Sequence, residues 1–290
     1  MKIASRYTPD RRVFSFEFFP PHTEAGSRSL LRTVGELRML EPDFVSVTYP
    51  LDRARRELTL ELVEMIQRDI GLDAMAHLTC VNATREEVHG VLRRLERSGI
   101  ENVLALRGDV PADEEIVVPR QNWFGSSVEL ARHIREHFRF CMGGAAHPEV
   151  HPDADSPETD VAFARAKVEA GCEFLITQLF LDNADYFAFV ERARAAGISV
   201  PIVPGIMPIT SYQGILRMAR LNGHRIPAPL REQLEEAADD PQAVARVGVA
   251  WARTQCIELL EGGAPGLHFF TLNRSPATRQ ILTFLRDRLD

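Results

Sequence analysis

The sequence has few cysteines, very few lysines and no long apolar run. Its four cysteines lie far apart without a CxxC pair, which argues against a zinc ribbon or disulfide framework and favours reduced, buried thiols. No segment has the length of a membrane span or the apolar core of a signal peptide, so we expect a cytoplasmic protein without a membrane partner. The formal net charge of -7 argues against nucleic-acid binding, which relies on excess Lys and Arg.

Lysine is so rare that its positions are informative. Only Lys2 and Lys167 occur among 34 basic residues. An internal lysine that is retained where nearly every other basic residue is arginine makes Lys167 a candidate functional residue. The overall composition, 45% hydrophobic and 26% charged over 290 residues, is that of a globular protein.

The hydrophobic pattern alternates between short β-rich runs and amphipathic stretches. The predicted strands are Val13–Phe19, Phe44–Thr48, Ala74–Cys80, Val103–Arg107, Phe140–Ala146, Phe174–Phe180, Val200–Ile206 and Gly266–Thr271. The predicted helices are Arg28–Leu40, Arg56–Ile70, Arg85–Arg97, Val128–His137, Glu158–Ala170, Ala184–Ala196, Ser211–Leu221 and Pro276–Leu289. Strict alternation of strand and helix predicts parallel strands with right-handed crossovers.

Eight such units in this length predict an α/β fold, a (β/α)8 TIM barrel. An open doubly wound sheet is the alternative, but the first strand-to-helix turn lacks GxGxxG. We expect one catalytic domain over residues 1–290, with an extra helical segment at about 222–263 before the last strand. The oligomeric state stays open, a homo-oligomer included.

The stretch FSFEFFPP places one glutamate among phenylalanines in the first predicted strand. Side chains alternate along a strand, so Glu17 faces away from the flanking Phe16 and Phe18. Barrel enzymes carry their chemistry at the carboxyl ends of the strands, where Glu17 lies. The residue is therefore either a solvated strand-end carboxylate or a buried acid retained for chemistry.

The fifth strand leads into GGAAHPEVHP, which contains two histidines four residues apart. Pro148 and Pro152 disfavour the continuous helix that a zinc motif of this spacing requires. The small residues before His147 either let a flat ring approach closely or serve close core packing. The segment by itself leaves both interpretations open.

Eight short motifs, in order along nearly the whole chain, resemble those of the methylenetetrahydrofolate reductase family. They are FSFEFFPP, SVTY, HLTC, ALRGD, HPEVHP, ITQLF, PGIMP and HFFTLNR. The resemblance implies the flavin-dependent, catalytic-domain-only type found in bacteria. In that family NADH or NADPH reduces bound FAD, and 5,10-methylenetetrahydrofolate is then reduced to 5-methyltetrahydrofolate by ping-pong hydride transfer, a step of one-carbon metabolism that supplies methionine biosynthesis.

The resemblance also implies roles for individual residues. Glu17 matches the general acid, and burial beside aromatic rings leads us to expect a raised pKa. Asp109 matches an aspartate near flavin and pterin, and with Gln178 and Arg274 it would bind the folate. The implied FAD-binding residues are Thr48, Tyr49, His77, Arg107, Gly108, Asp109, His147, His151, Ala154, Asp160, Phe163 and Lys167.

The chain departs from the family pattern at two places. His147 stands where the family usually has tyrosine, and Pro50 and Leu51 replace small residues after SVTY. Three alternatives remain: the same reaction without bound flavin, a metal-dependent barrel hydrolase or lyase using His77, His147 and His151, and a non-catalytic subunit that binds flavin or folate.

Overall fold

The structure is a computed structural model that describes residues 1–21, 23–109, 116–274 and 276–289. Eight parallel strands form a closed barrel in which each strand pairs with its neighbours in chain order and β1 pairs with β8. The strands are β1 Val13–Phe18, β2 Phe44–Val47, β3 Ala74–Thr79, β4 Asn102–Leu106, β5 Cys141–Ala146, β6 Phe174–Leu179, β7 Ile202–Ile206 and β8 Gly266–Phe270. The predicted (β/α)8 barrel is confirmed.

Helices follow the strands. They are α1 Glu24–Arg38, α2 Arg53–Met65, α3 Arg85–Arg97, α4 Ser127–His137, α5 Pro157–Glu169, α6 Asn183–Ala195, α7 Tyr212–Asn222, α8 Ala228–Glu236, α9 Pro241–Glu261 and α10 Pro276–Leu289. Two of them, α8 and α9, lie between α7 and β8. The first helix begins at Glu24, four residues before the predicted start at Arg28. The side chain of Thr23 accepts a hydrogen bond from the Gly26 amide and caps the helix at this earlier position.

Two apolar layers surround the strands. Alternate residues of β1 illustrate the division: Phe14, Phe16 and Phe18 belong to the large cluster of core residues between strands and helices. Val13 belongs instead to a smaller cluster with side chains of other strands and with Ile3, which is fully buried in the short N-terminal 3-10 helix. Glu17, two pleats beyond Val13 on the same face of the strand, therefore lies towards the carboxyl-terminal mouth.

A single glycine permits β1 and β8 to come together at the start of β8. Gly266 has φ +154, and a Cβ there would lie 1.9 Å from the carbonyl oxygen of Val13. The Val13 amide also donates to the Pro265 carbonyl. Any side chain at position 266 would push the two strands apart.

We expect Gly266→Ala to destabilise the barrel far more than Gly197→Ala. Both glycines have a positive φ that other residues rarely adopt, so either substitution costs about 1–3 kcal/mol of backbone strain. Only Gly266 has atoms within 4 Å of the added Cβ, and overpacking there costs a further ~1–3 kcal/mol. Urea denaturation of both variants measures the difference, and equal losses would contradict this account of strand closure.

Candidate active site

A cavity of about 860 Å³ opens at the carboxyl-terminal mouth of the barrel. The strand ends and the loops that follow them line it, as expected for this fold. All residues that the sequence analysis placed in the site line this cavity, with the exception of Arg274. The lining members of that set are Glu17, Thr48, Tyr49, His77, Arg107, Gly108, Asp109, His147, His151, Ala154, Asp160, Phe163, Lys167 and Gln178.

Arg274 lies apart from this group. It is exposed in the turn after β8, where its backbone amide donates to the Thr271 carbonyl. Leu272 of the same turn does line the cavity. The folate contact predicted for Arg274 therefore has no support from cavity lining.

Glu17 is held inside the barrel by two histidines. Its Oε2 lies 3.3 Å from Nε2 of His268 and 3.5 Å from Nε2 of His77. The His268 side chain is fully buried, and that of Glu17 is only 18% exposed. The carboxyl group is thus partly buried, rather than a fully solvated strand-end charge.

His268 connects Glu17 to a second polar group, the hydroxyl of Ser15. Its Nδ1 lies 2.8 Å from the Ser15 Oγ, because Ser15 and His268 are paired residues of β1 and β8. When Ser15 donates to Nδ1, Nε2 carries the proton and donates to the Glu17 carboxylate. In the opposite tautomer Nε2 accepts a hydrogen bond from protonated Glu17, so the imidazole can pair with either protonation state of the acid.

The pKa of Glu17 differs from the sequence-based expectation. Burial is the largest influence and raises the pKa of Glu17, as expected. Positive charge on His77 and the hydrogen bond from His268 act against burial, and the net pKa is lowered below the usual value of glutamate. The prediction of a raised pKa was wrong for the protein without ligand, because sequence alone did not reveal the two imidazoles.

His77 is neutral at neutral pH. Burial lowers the pKa of His77 to about 4, although the Glu17 carboxylate opposes this effect. Near pH 7 His77 is therefore a neutral dipole beside Glu17, and its Nε2 makes no hydrogen bond within the described residues. The charge of His77 becomes important only in acid. The hydrogen bond from His268 is the influence that stabilises the carboxylate around neutrality.

The opposite side of the cavity contains the one internal lysine. Lys167 is 5% exposed, and its Nζ donates to the Ala145 carbonyl over 2.7 Å. Burial lowers the pKa of Lys167 to about 8, with Asp160 acting in the other direction. The ammonium also lies 4.8 Å from the centroid of the Phe163 ring.

The loop after β5 brings two histidines to the rim. The rings of His147 and His151 meet edge to face with centroids 4.5 Å apart. Burial lowers the pKa of His147 to about 3, so this ring is neutral near pH 7. The amide of His151 donates to Oδ2 of Asp160, whose pKa is raised chiefly by burial.

Gly143 and Gly144, in β5, serve the core. A Cβ at Gly143 would lie 2.7 Å from the Phe174 ring, and one at Gly144 would lie 3.1 Å from Leu175. Of the two interpretations that the sequence left open, close core packing is the one that applies to these glycines. Gly108 is different, because it lines the cavity with φ +89 and has no room for a side chain.

The strand of Gln178 is irregular at the site. The pairing of β6 with β7 shifts register between Ile176 and Leu179, and Oε1 of Gln178 accepts a hydrogen bond from the Leu179 amide. Such bulges often redirect a side chain next to a binding site. Here Gln178 borders the main cavity and a second cavity of about 540 Å³.

The second cavity adjoins the first at the rim, where the two share lining residues. Both are lined by Arg107, Asp109, His147 and His151. Arg107 is paired with Asp153 at 3.0 Å and is exposed. The two cavities together provide room for ligands larger than the main cavity alone can hold.

Ser15 and His268 are functional candidates that sequence reasoning missed. His268 lies inside β8, two residues before the last residue of the strand, Phe270. The available signal was alternation, because position 268 has the same parity as Phe270, which lines the cavity. The pairing of His268 with Ser15 required the register between β1 and β8.

The metal-dependent alternative finds no support in the parts of the chain that the structure describes. Within those residues, no group of three or more His, Cys, Asp or Glu side chains is arranged to hold a metal ion. In particular, His77 lies beside Glu17, whereas His147 and His151 face each other. Among the described helices, none is long and apolar enough to cross a membrane.

The fold and the site define a (β/α)8-barrel protein with an acid-containing cavity at the carboxyl-terminal mouth of the barrel. The sequence profile of methylenetetrahydrofolate reductase matches residues 2–286. The chain belongs to the methylenetetrahydrofolate reductase family. This assignment confirms the resemblance drawn from the eight sequence motifs.

Relatives of two lengths match the chain. The 5,10-methylenetetrahydrofolate reductase of Escherichia coli strain K12 is 36% identical, with 92% of this chain and 88% of that protein covered. Methylenetetrahydrofolate reductase (NADH) 1 of Arabidopsis thaliana is 38% identical over 97% of this chain but only 49% of its own length. The chain thus spans about half the length of the plant relative.

Solved structures agree on the fold. An uncharacterized protein from Clostridium thermocellum, described as binding two copies of 5-methyl-5,6,7,8-tetrahydrofolic acid, superposes with a TM-score of 0.66 at 18% identity, covering 99% of this chain and 97% of that one. Dihydropteroate synthase from Xanthomonas albilineans gives a TM-score of 0.55 at 15% identity, with 97% and 94% covered.

We expect His268→Leu to raise the pKa of Glu17. The substitution removes the hydrogen bond that stabilises the carboxylate, whereas burial, which favours the neutral acid, remains. Glu17 then stays protonated to higher pH than in the unsubstituted protein. Carbon-13 NMR of glutamate-labelled protein measures the midpoint, with His137→Leu on the surface of α4 as control. An unchanged or lower midpoint would contradict the assigned contact.

Proposed function

We propose that this protein reduces 5,10-methylenetetrahydrofolate to 5-methyltetrahydrofolate with electrons from NADH or NADPH, carried by bound FAD. The observation that carries the proposal is Glu17, a carboxyl group held between two buried imidazoles in the mouth cavity of a family member. The names of the relatives support the same reaction, and the Arabidopsis relative is named for NADH. For this protein we propose either NADH or NADPH as the electron donor.

The residues of the cavity fit FAD. Lys167 offers a buried ammonium that could pair with cofactor oxygens. Its described contacts are a hydrogen bond to the Ala145 carbonyl and the ring of Phe163. Gly108 gives backbone access where a side chain would clash with Val81. His147 presents a neutral ring at the place of the expected tyrosine. When bound, FAD would supply a two-electron carrier between the nicotinamide and the folate.

Glu17 supplies the proton in this proposal. The methylene bridge of the substrate accepts hydride poorly until its five-membered ring opens to an iminium at N5, and opening requires a proton on N10. Glu17 is ionised in the protein without ligand, so substrate binding must raise its pKa by excluding the remaining water. His268 assists because its Nδ1 contacts Ser15, which leaves an Nε2–H free to donate to the carboxylate that remains once the proton has left Glu17.

Two further residues would bind the folate. Asp109 is exposed at the rim after β4, where its carboxylate could pair with pterin N–H donors and stabilise the cationic iminium. Gln178 has both an amide donor and an acceptor beside the two cavities. Because one cavity would serve donor and folate in turn, ping-pong turnover follows naturally.

We predict that Glu17→Gln separates the two half-reactions. Flavin reduction by NADH or NADPH needs no proton on N10 and should stay near the unsubstituted rate. Flavin reoxidation by methylenetetrahydrofolate should slow at least about 100-fold, the usual contribution of a general acid. Stopped-flow absorbance follows both steps, with the surface variant Glu129→Gln as control. Equal losses in both steps would refute the assigned role.

The absorption spectrum of the purified protein tests the cofactor. We expect a flavin spectrum that NADH or NADPH bleaches and that methylenetetrahydrofolate restores. Turnover with menadione as acceptor would argue against a non-catalytic subunit. Folate reduction by protein that remains colourless after incubation with FAD would instead support the flavin-free alternative.

We predict that FAD affinity falls as the pH rises above about 8. The Lys167 pKa is about 8 without ligand, and an anionic cofactor raises it by stabilising the ammonium. Binding therefore favours the protonated lysine, so affinity is constant well below pH 8 and decreases above it. Fluorescence titration measures the dissociation constant, and in Lys167→Met the decline attributable to this lysine should vanish. A decline of unchanged size in Lys167→Met would contradict the assignment.

A further inference from the structure

The loop after β5 contains backbone strain between its two histidines. Val150 has φ +71, in the left-handed region that β-branched residues rarely adopt. It lies between Glu149 and His151 and is flanked by two prolines in the run HPEVHP. Strain of this kind persists only where the surrounding structure holds the backbone in place, and it concentrates at functional sites.

Glu149 fixes the backbone of this loop through two hydrogen bonds. Its Oε2 accepts a hydrogen bond from Nδ1 of His224 over 2.8 Å, and its Oε1 accepts one from the Arg225 amide over 2.8 Å. The His224 side chain is 6% exposed and that of Glu149 is 10% exposed. A carboxylate in this environment needs both donors, since burial without partners is unfavourable.

The end of α7 places these donors. Gly223 adopts φ 71 at the C-terminal cap of α7, and the amide of His224 donates to the Ala219 carbonyl. The chain therefore turns back towards the β5 loop immediately after the helix. Arg225 is fixed from the other side by an ion pair with Asp185 at the start of α6.

The strained loop carries residues of the candidate cofactor site. The amide of Val150 donates to the His147 carbonyl, and the amide of His151 donates to Asp160. His147 and His151 line both cavities. One side of the loop is thus tied to α5 through Asp160, and the other is tied to the α7–α8 connection through Glu149.

We propose that Glu149 and His224, with the Arg225 amide, form a latch that keeps the 147–152 loop in its strained conformation and so presents His147 and His151 to the cofactor. Glu149 and His224 are positioning residues in this proposal, because neither needs to touch the cofactor. The link to FAD rests on the proposed function. The effect on the loop itself does not.

The first experiment requires no flavin. Hydrogen–deuterium exchange of cofactor-free protein is compared between the unsubstituted chain, His224→Ala and the control His137→Ala. We expect exchange over residues 147–154 to accelerate about tenfold in His224→Ala, the effect of losing roughly one hydrogen bond. The control should match the unsubstituted protein there. Unchanged exchange in His224→Ala would overturn the latch, whatever the protein catalyses.

The second experiment measures FAD affinity. His224→Ala should raise the FAD dissociation constant about tenfold, and His224→Gln, which keeps an amide donor, should restore part of it. Adding Val150→Asn to His224→Ala should also recover affinity, because asparagine tolerates the left-handed region and removes the strain that the latch opposes. A lowered melting temperature with unchanged FAD affinity would reduce the pair to a structural role and overturn the proposal.

Two further outcomes are distinguishable. If the unsubstituted protein binds no FAD while exchange still accelerates in His224→Ala, the proposed cofactor is wrong and the latch stands as a device of the loop. If His224→Ala does not fold, Glu149→Gln is measured in the same two ways, since it keeps the side-chain shape and loses the carboxylate. Unchanged exchange and affinity in Glu149→Gln would overturn the latch.

Discussion

The pairing of β1 with β8 is the constraint on which the candidate site depends. It sets Ser15 opposite His268, which places the imidazole between a hydroxyl and the carboxyl group of Glu17. The hydroxyl of Thr271 also donates to the carbonyl of Glu17 just beyond β8. Closure of the barrel therefore both completes the fold and determines the protonation chemistry of its acid.

Burial opposes the charged form of both Glu17 and Lys167, but the net pKa shift favours the charged form only at Glu17. For Glu17, nearby imidazoles outweigh burial and favour the charged form, whereas for Lys167 burial prevails and lowers the pKa to about 8. The difference arises from partners: Glu17 has two polar neighbours in reach, and Lys167 has mainly a carbonyl and an aromatic ring. A carboxyl group that favours its charged form and a lysine with a depressed pKa therefore line the same cavity.

Some features were accessible from local sequence because they depend on neighbours along the chain. Strand alternation placed Glu17 on the face opposite Phe16 and Phe18, and the scarcity of lysine marked Lys167; both residues line the cavity. The predicted strands tended to end one residue too late, as at Phe19 and Thr48. The residue after the last paired one continues the sequence pattern, although strand pairing has already ended there. The position of Arg274 outside the cavity could not be predicted from the sequence either, because it depends on the path of the turn after β8.

Periodicity and motif order are properties of the linear chain, and they were sufficient to predict the barrel, the family and a set of site residues of which all but Arg274 line the mouth cavity. The three-dimensional structure was needed to establish the pKa direction of Glu17, the contact between Ser15 and His268, and the attachment of the strained Val150 loop to His224. These features join residues distant in sequence, and electrostatic and hydrogen-bond energies depend on distances that no local pattern encodes.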